Sequence, residues 1–247
     1  MMKRRDVFLA ALVLLSVWQI VAMLVNLPIL PDPYKVFSVF VRELQNGLPN
    51  HFVFSLWRVS AGMTLSVLAA VPVGLAIGGS KAWNRIFSPL IYLLYPIPKV
   101  VFVPVVILFL GIGDMAKIAI MFLILFFQIA VLVRDQAAGL PPQLIQSLHS
   151  LGAGRRALFR FVYLPASLPA ILTALRQSIG TAVAVLYITE LSATKYGLGY
   201  YIYYNGSTLL DYPAMYAGVV AMSLLGLGLY FSVDWLEQKW CKWKFVT

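Results

Sequence analysis

The chain has 247 residues, of which 61% are hydrophobic and only 11% charged, a balance that excludes an ordinary soluble domain. A spanning helix needs about 20 mostly apolar residues, so six of them take up about half the chain and leave no second soluble domain. The formal net charge of +10 does not point to nucleic acid, because the basic residues lie between and beside apolar stretches, where they act as topology signals.

The first span follows Lys3, Arg4 and Arg5, and no charged residue occurs from Val7 to Pro31. It ends in Asn26-Leu27-Pro28 without a small-x-small cleavage site, so residues 1–30 read as a retained N-terminal transmembrane helix rather than a signal peptide. Pro31-Asp32-Pro33 breaks that helix. Val36, Phe37, Val39, Phe40 and Leu44 then interleave with Lys35, Arg42 and Glu43, an amphipathic stretch expected to lie flat on the outer surface. A second span runs from about Phe52 to Gly78 and ends in a turn holding Lys81 and Arg85.

The third span, about Ile86 to Leu110, is interrupted by Tyr95-Pro96-Ile97-Pro98-Lys99 and by Pro104. Prolines remove backbone donors at membrane depth, so a kinked or partly unwound helix is predicted, tolerated only where protein or a water-lined cavity satisfies the freed groups. Gly111-Ile112-Gly113-Asp114 makes an outer turn, and Ile118 to Val133 returns to the cytosol at Arg134. Pro165 and Pro169 open a fifth span that reaches about Thr189. An outer loop rich in Tyr and Gly, Glu190 to Pro213, precedes a sixth span over Ala214 to Val233, and Asp234 to Thr247 forms a basic, tryptophan-containing tail.

Charge placement tests this arrangement, since cytosolic segments near span ends should hold the Lys and Arg excess. Lys3, Arg4, Arg5, Lys81, Arg85, Arg134, Arg155, Arg156, Arg160, Lys239, Lys242 and Lys244 fall inside, against Lys35, Arg42, Lys117 and Lys195 outside. Twelve against four predicts that both termini are cytosolic, with Arg58, Lys99 and Arg176 left out as residues within or at the ends of spans.

The substantial polar element inside the chain is the stretch from Arg134 to about Arg160, too long for a simple turn. Two short helical patterns meet at Gly152 and Gly154, and Leu144, Ile145, Leu148 and Leu151 recur at helical spacing. One face is thus apolar toward the membrane domain and the other is free for a cytosolic partner. A surface-lying connector fits the same pattern.

At these residues the sequence resembles the inner-membrane permease subunits of binding-protein-dependent ABC importers. Their cytosolic signature is E-A-A, three residues, G, nine residues, then I-x-L-P. Here the glycine is Gly152 and the closing residues are Val162-Tyr163-Leu164-Pro165. Gln146-Ser147-Leu148 stand where the signature has Glu-Ala-Ala, which removes an acidic contact. The similarity extends from about Pro31 to the tail through Pro96-Ile97-Pro98, Phe109-Leu110-Gly111-Ile112-Gly113 and Gly197-Leu198-Gly199-Tyr200, and it looks like the branch that handles nitrate, taurine, alkanesulfonates and pyrimidine-type vitamin precursors.

The resemblance implies an all-α, six-span permease of the type I importer fold, with residues 31–247 as the permease domain and a coupling loop at about 134–165. It implies two permease chains, two separate ATPase subunits that hold ATP and Mg, and an extracytoplasmic binding protein, in a bacterial inner membrane. The coupling role falls on Gln146, Ser147, Leu148, Ser150, Leu151, Gly152, Ala153, Gly154, Leu164 and Pro165. No G-x-x-x-x-G-K-[ST] loop occurs in the chain, so it carries no Walker phosphate cradle, and energy comes from another subunit or from an ion gradient. An ion-coupled secondary transporter acting alone is the alternative, although inverted repeats should supply paired broken helices and only one broken segment is evident.

Charged residues within spans default to functional candidates. Lys99, beside Tyr95, Pro96 and Pro98, is a candidate pathway residue that would favour an anionic solute; snorkelling or pairing with a carboxylate is the plainer reading. Arg176 is either a pathway residue or a tie between helices, and Glu190 is either a pathway residue or a solvated group at the outer boundary. Tyr196, Tyr200, Tyr201, Tyr203 and Tyr204 read as an interfacial aromatic belt, or as a surface for a delivering binding protein. Gly226 and Gly228 read as a close packing site. His51 and His149 are predicted on opposite sides of the membrane with no metal-ligand cluster, so neither catalysis nor a metal site is expected. The single cysteine, Cys241, can form no internal disulfide.

Overall fold

The computed structural model describes residues 4–150, 152, 154–191 and 194–244. Lys3, Leu151 and Ala153 lie outside the described residues, as do the side chains of Leu144, His149 and Arg155. In chain order the helices are α1 (Arg4–Val25), α2 (Pro33–Glu43), α3 (Leu48–Gly78), α4 (Lys81–Leu94), α5 (Val103–Leu110), α6 (Asp114–Ala138), α7 (Pro142–Ser150), α8 (Arg155–Leu158), α9 (Leu164–Glu190), α10 (Leu198–Tyr203) and α11 (Tyr212–Trp240). Short 3-10 turns occupy Lys99–Phe102 and Lys242–Lys244, and π turns occupy Phe159–Tyr163 and Tyr204–Leu209. No strand occurs among the described residues.

Five helical stretches are long and apolar enough to cross a membrane, and α4 with Lys99–Leu110 makes a sixth, bent by 76°. The chain is therefore an all-α multi-pass membrane protein, and its third span is broken where the prolines predict. The first ends at Val25, short of the expected residue 30, and the remaining four run longer than their expected bounds. The fifth begins at Arg156 rather than Pro165, because α8 leads through the π turn into α9. Pro165 has no N–H to give the preceding turn, and the helix widens ahead of it, with the Leu164 N–H donating to the Phe159 carbonyl. The sixth continues past Val233 to Trp240, so the first half of the expected tail is helix.

Chain contacts define two compact units, Met1–Ser55 with Glu190–Leu224, and Leu56–Thr189 with Leu225–Thr247. In the first, Asp32 caps α2 by accepting from the Lys35 N–H at 2.9 Å, and Pro33 occupies the first helical position, where a missing N–H costs nothing. Val36 is the buried residue of that amphipathic helix, while Tyr34 and Phe37 are exposed. Trp18 ties α1 to the following turn by donating to the Pro31 carbonyl at 3.1 Å. Nearly all of α1 is bare apolar surface, with 6% of its spanning window buried, as expected of a helix whose solvent is lipid.

The second unit is organised around α3 and α6, which approach through glycines. A Cβ at Gly62 would stand 2.8 Å from Met121 Cβ, one at Gly74 2.8 Å from the Ala130 carbonyl and 2.9 Å from Val133 Cβ, and one at Gly78 would collide with the Arg134 carbonyl. Gly74-Leu75-Ala76-Ile77-Gly78 is a small-x-x-x-small pattern, the spacing that lets membrane helices pack backbone to backbone. The predicted packing pair behaves differently. A Cβ at Gly226 meets Val183 at an ordinary 3.4 Å, and Gly228 faces open space.

Candidate functional site

The predicted coupling residues lie in the second unit, where two short helices flank Gly152. Gly152 has φ +75°, and a Cβ there would meet nothing within 4 Å. The backbone angle, not the available space, selects glycine at this turn. Gln146, Ser147, Ser150, Gly152 and Gly154 are exposed, and the Ser147 and Ser150 hydroxyls turn back to the Gln143 and Gln146 carbonyls at 2.8 and 3.1 Å. Leu148 faces the other way, onto a cavity of about 360 Å³ shared with Phe161, Val162, Pro165, Ala166 and Trp243. Val162 of that lining is buried, as is Leu158 of α8. The segment thus has one seated apolar side and one small, polar, open side. Leu151 and Ala153 fall outside the described residues.

Lys99 finds no carboxylate among the described residues. Its ammonium donates to the carbonyls of Leu94, Tyr95 and Ile97 at 2.9, 3.0 and 3.1 Å. An ammonium has three N–H donors, so the break consumes all of them, and the charge also lies 4.9 Å from the Phe127 ring centroid. Of these three carbonyls, that of Leu94 is the one the missing Pro98 N–H would have served, and it also accepts from the Ile97 N–H at 3.3 Å. Tyr95, Pro96 and Pro98 stand beside this cap on exposed surface.

Arg176 bridges two helices. Its guanidinium pairs with Asp234 at 3.2 Å and with Glu237, both on α11, and Lys244 reaches the same Glu237 carboxylate at 2.7 Å. Glu237 is 1% exposed, so two cations offset one buried anion. Asp234 and Glu237 are therefore helix-packing groups rather than parts of a solvated tail. Cys241, also buried, has its thiol pKa raised by burial.

The expectation of a solvated Glu190 is overturned, for its side chain is fully buried in the first unit. Three side chains receive the start of α10 there. The Gly197 N–H donates to His51 Nδ1 at 3.1 Å, the Leu198 N–H to Ser55 Oγ at 2.7 Å, and the Gly199 N–H to Glu190 Oε2 at 2.9 Å. Ser55 Oγ in turn lies 2.8 Å from Glu190 Oε2. The first N–H groups of a helix have no partner within it, and a carboxylate there meets the positive end of the helix dipole. The tyrosine belt is likewise divided. Tyr196, Tyr200 and Tyr201 surround the His51 ring with centroids 5.3 to 6.1 Å away, and buried Tyr201 donates to Glu43 at 3.2 Å. Tyr203 and Tyr204 keep the exposed, belt-like setting.

Three buried cations, Arg58, Lys117 and Arg134, are absent from the sequence-level candidates. Arg58, 3% exposed, holds Asp114 at 2.8 Å, and Arg134 joins α6 to α4 through Ser88 at 3.1 Å while pairing with Asp135. Two larger cavities also lie in the second unit. One of about 530 Å³ is lined almost wholly by aliphatic residues of α3, α9 and α11. The other, about 560 Å³, is mixed in polarity and brings together Asp135 and Gln136 of α6, Thr173 and Gln177 of α9, and Lys244. No group of three or more His, Cys, Asp or Glu side chains is placed to hold a metal among the described residues.

Residues 62–241 match the family model described as binding-protein-dependent transport system inner membrane component. A putative ABC transporter permease protein of Methanocaldococcus jannaschii is 33% identical over 92% of this chain and 88% of that protein. The taurine transport system permease protein TauC of Escherichia coli is 30% identical over 94% and 86%. The inward-facing structure of the MetNI methionine ABC transporter shares the fold, with a TM-score of 0.66 at 20% identity over 80% of this chain and 98% of that one. The chain belongs to the binding-protein-dependent transport system inner membrane component family, and it is a permease subunit of an ABC importer rather than an enzyme.

Proposed function

We propose that this chain, paired with a second copy of itself, forms the solute pathway of an importer driven by two separate ATPase subunits and fed by an extracytoplasmic binding protein. Its solute is a small anion of the sulfonate, taurine or nitrate kind, or a vitamin precursor. Both termini are cytosolic. ATP and Mg reside in the ATPase, and α7, the Gly152 turn and α8 seat on it. ATPase closure moves this segment as a body with α9 and shifts the balance between inward-open and outward-open states. Tyr95, Pro96 and Pro98 line the pathway, while Lys99, Arg176 and Glu190 hold the backbone and helices that shape it.

The observation that carries the coupling role is the two-sided segment itself, with Leu148 turned inward and Gln146, Ser147, Ser150, Gly152 and Gly154 left open. Gly152→Asp places a charge and a Cβ on a left-handed backbone at the centre of that surface. Affinity purification from native membranes in mild detergent, followed by mass spectrometry, is expected to recover a Walker-containing ATPase with the wild-type chain. The variant should lose it while still inserting in the membrane. Recovery of folded wild-type chain alone would favour the ion-coupled alternative.

A further inference from the structure

We propose that the aliphatic cavity between α3, α9 and α11 holds one acyl chain of a phospholipid whose anionic headgroup sits among Arg160, Lys239 and Lys242. The cavity, about 530 Å³, is lined from Ser60 to Pro72 on α3, from Leu164 to Leu175 on α9 and from Leu229 to Trp240 on α11. At about 1.5 Å per residue these runs measure about 16 to 18 Å, close to half of the ~30 Å hydrocarbon thickness of a bilayer. All three lie at the same end of the unit, where α3 nears Gly78, α9 begins and α11 stops. That end is cytosolic in the topology proposed above, so the cavity is one leaflet deep. A lipid tail of that leaflet fits this depth, whereas a spanning helix of a second copy would need a groove about twice as long. No charged residue lines the cavity among the described residues, so its wall suits a hydrocarbon chain.

Charge gathers at the mouth instead. Arg160 stands one turn ahead of Leu164, and Lys239 and Lys242 flank Trp240. All three cations are exposed. Lys239 lies 4.7 Å from the Trp235 ring centroid and Arg160 5.8 Å from that of Phe161. None of the three meets a carboxylate among the described residues, and Asp234 and Glu237 at this end of α11 are already matched by Arg176 and Lys244. Basic residues beside a span set topology wherever they stand. Here they stand at the open end of an apolar slot, which places a phosphate and its own acyl chain within one molecule's reach. Trp240 lies between them, an amphipathic ring at the level where hydrocarbon gives way to headgroup.

Native mass spectrometry and thermal unfolding of the purified chain in mild detergent test the site, with phosphatidylglycerol and phosphatidylcholine of identical acyl chains as probes. The chain should retain one phosphatidylglycerol, and that lipid should raise the melting temperature by at least about 3 °C more than phosphatidylcholine does. Leu68→Trp fills the slot from an exposed position and should abolish retention. Leu108→Trp, on bare apolar surface of α5 outside the slot, should keep it. Replacing Arg160, Lys239 and Lys242 together by Gln should leave the slot able to take a tail and remove the preference for phosphatidylglycerol. Retention in Leu68→Trp equal to wild type, equal shifts with the two lipids, or a chain dimer that Leu68→Trp dissociates with no lipid lost would each overturn the site.

Discussion

The approach of α3 to α6 is set by Gly74, and adding one methyl group there measures how rigid it is. In Gly74→Ala the new Cβ lies 2.8 Å from the Ala130 carbonyl oxygen and 2.9 Å from Val133 Cβ. Restoring ordinary contact at 3.4 Å requires the helices to part by about 0.6 Å. A backbone carbonyl cannot rotate aside, so the cost is that of overpacking, about 1–3 kcal/mol, offset by about 0.5–1 kcal/mol that alanine gains over glycine in a helix. The net expectation is a destabilisation of about 1–2 kcal/mol. Gly180→Ala is the matched control, since Gly180 lies within α9 with nothing within 4 Å of its Cβ position, and it should be neutral or stabilising by up to about 1 kcal/mol. Thermal unfolding of the purified chains in one detergent reads both. If Gly74→Ala melts at or above wild type, or the two variants shift together, the α3–α6 contact is not close-packed and the reasoning fails.

Three other outcomes follow from the polar contacts. Lys99→Met should lower stability by about 2–3 kcal/mol, the scale of one charge-assisted hydrogen bond, because the freed carbonyls can still find water; Lys99→Arg should restore part of it in the same melt. Arg176→Gln and Glu237→Gln should each destabilise, and a double-mutant cycle should return a coupling of about 1–2 kcal/mol; additivity within error would mean that the pair contributes nothing. Burial, then the charge and hydrogen bond of Glu43, raise the Tyr201 phenol pKa. A folded-state pKa above the unfolded value of about 10 means that the contribution is whole below pH ~10 and lost above it. The stability difference between wild type and Tyr201→Phe should therefore stay constant from pH 6 to 9 and shrink in more alkaline buffer.

The spans were legible because hydropathy is read over long windows and tolerates error at each residue, and the break was legible because proline acts on its own backbone. The partners of charged groups were not, since they depend on which helices meet. Lys99 sits where the sequence places it, yet only the fold shows that its donors turn back onto Leu94, Tyr95 and Ile97. Glu190 reads as part of a boundary loop because no local pattern announces that Gly199, nine residues on, lies in the first turn of a helix needing an acceptor. Hydropathy alone ends α11 too early for a related reason. Asp234 and Glu237 lower the hydropathy, but they sit one turn apart on the side that meets Arg176. Gly74 and Gly78 did carry a readable signal in their spacing, and it marks a closer approach than the Gly226 and Gly228 pair. In the segment around Gly152, the inward turn of Leu148 follows its apolar character, whereas the mixed cavity joins residues of α6, α9 and the tail that lie far apart in sequence.

The π turn at Phe159–Tyr163 sets the angular phase between α8 and α9. A π turn carries one residue more than the α turn it replaces, and in an α-helix each residue advances the side chains by about 100°. Deleting a single residue from this stretch would let the helix run on as plain α and swing α8 about 100° around the axis of α9. The open side of the Gly152 turn would then face a new direction with every one of its residues intact. The compass bearing of that open side is thus written in residue count, upstream of a proline, and not in the chemistry of the surface.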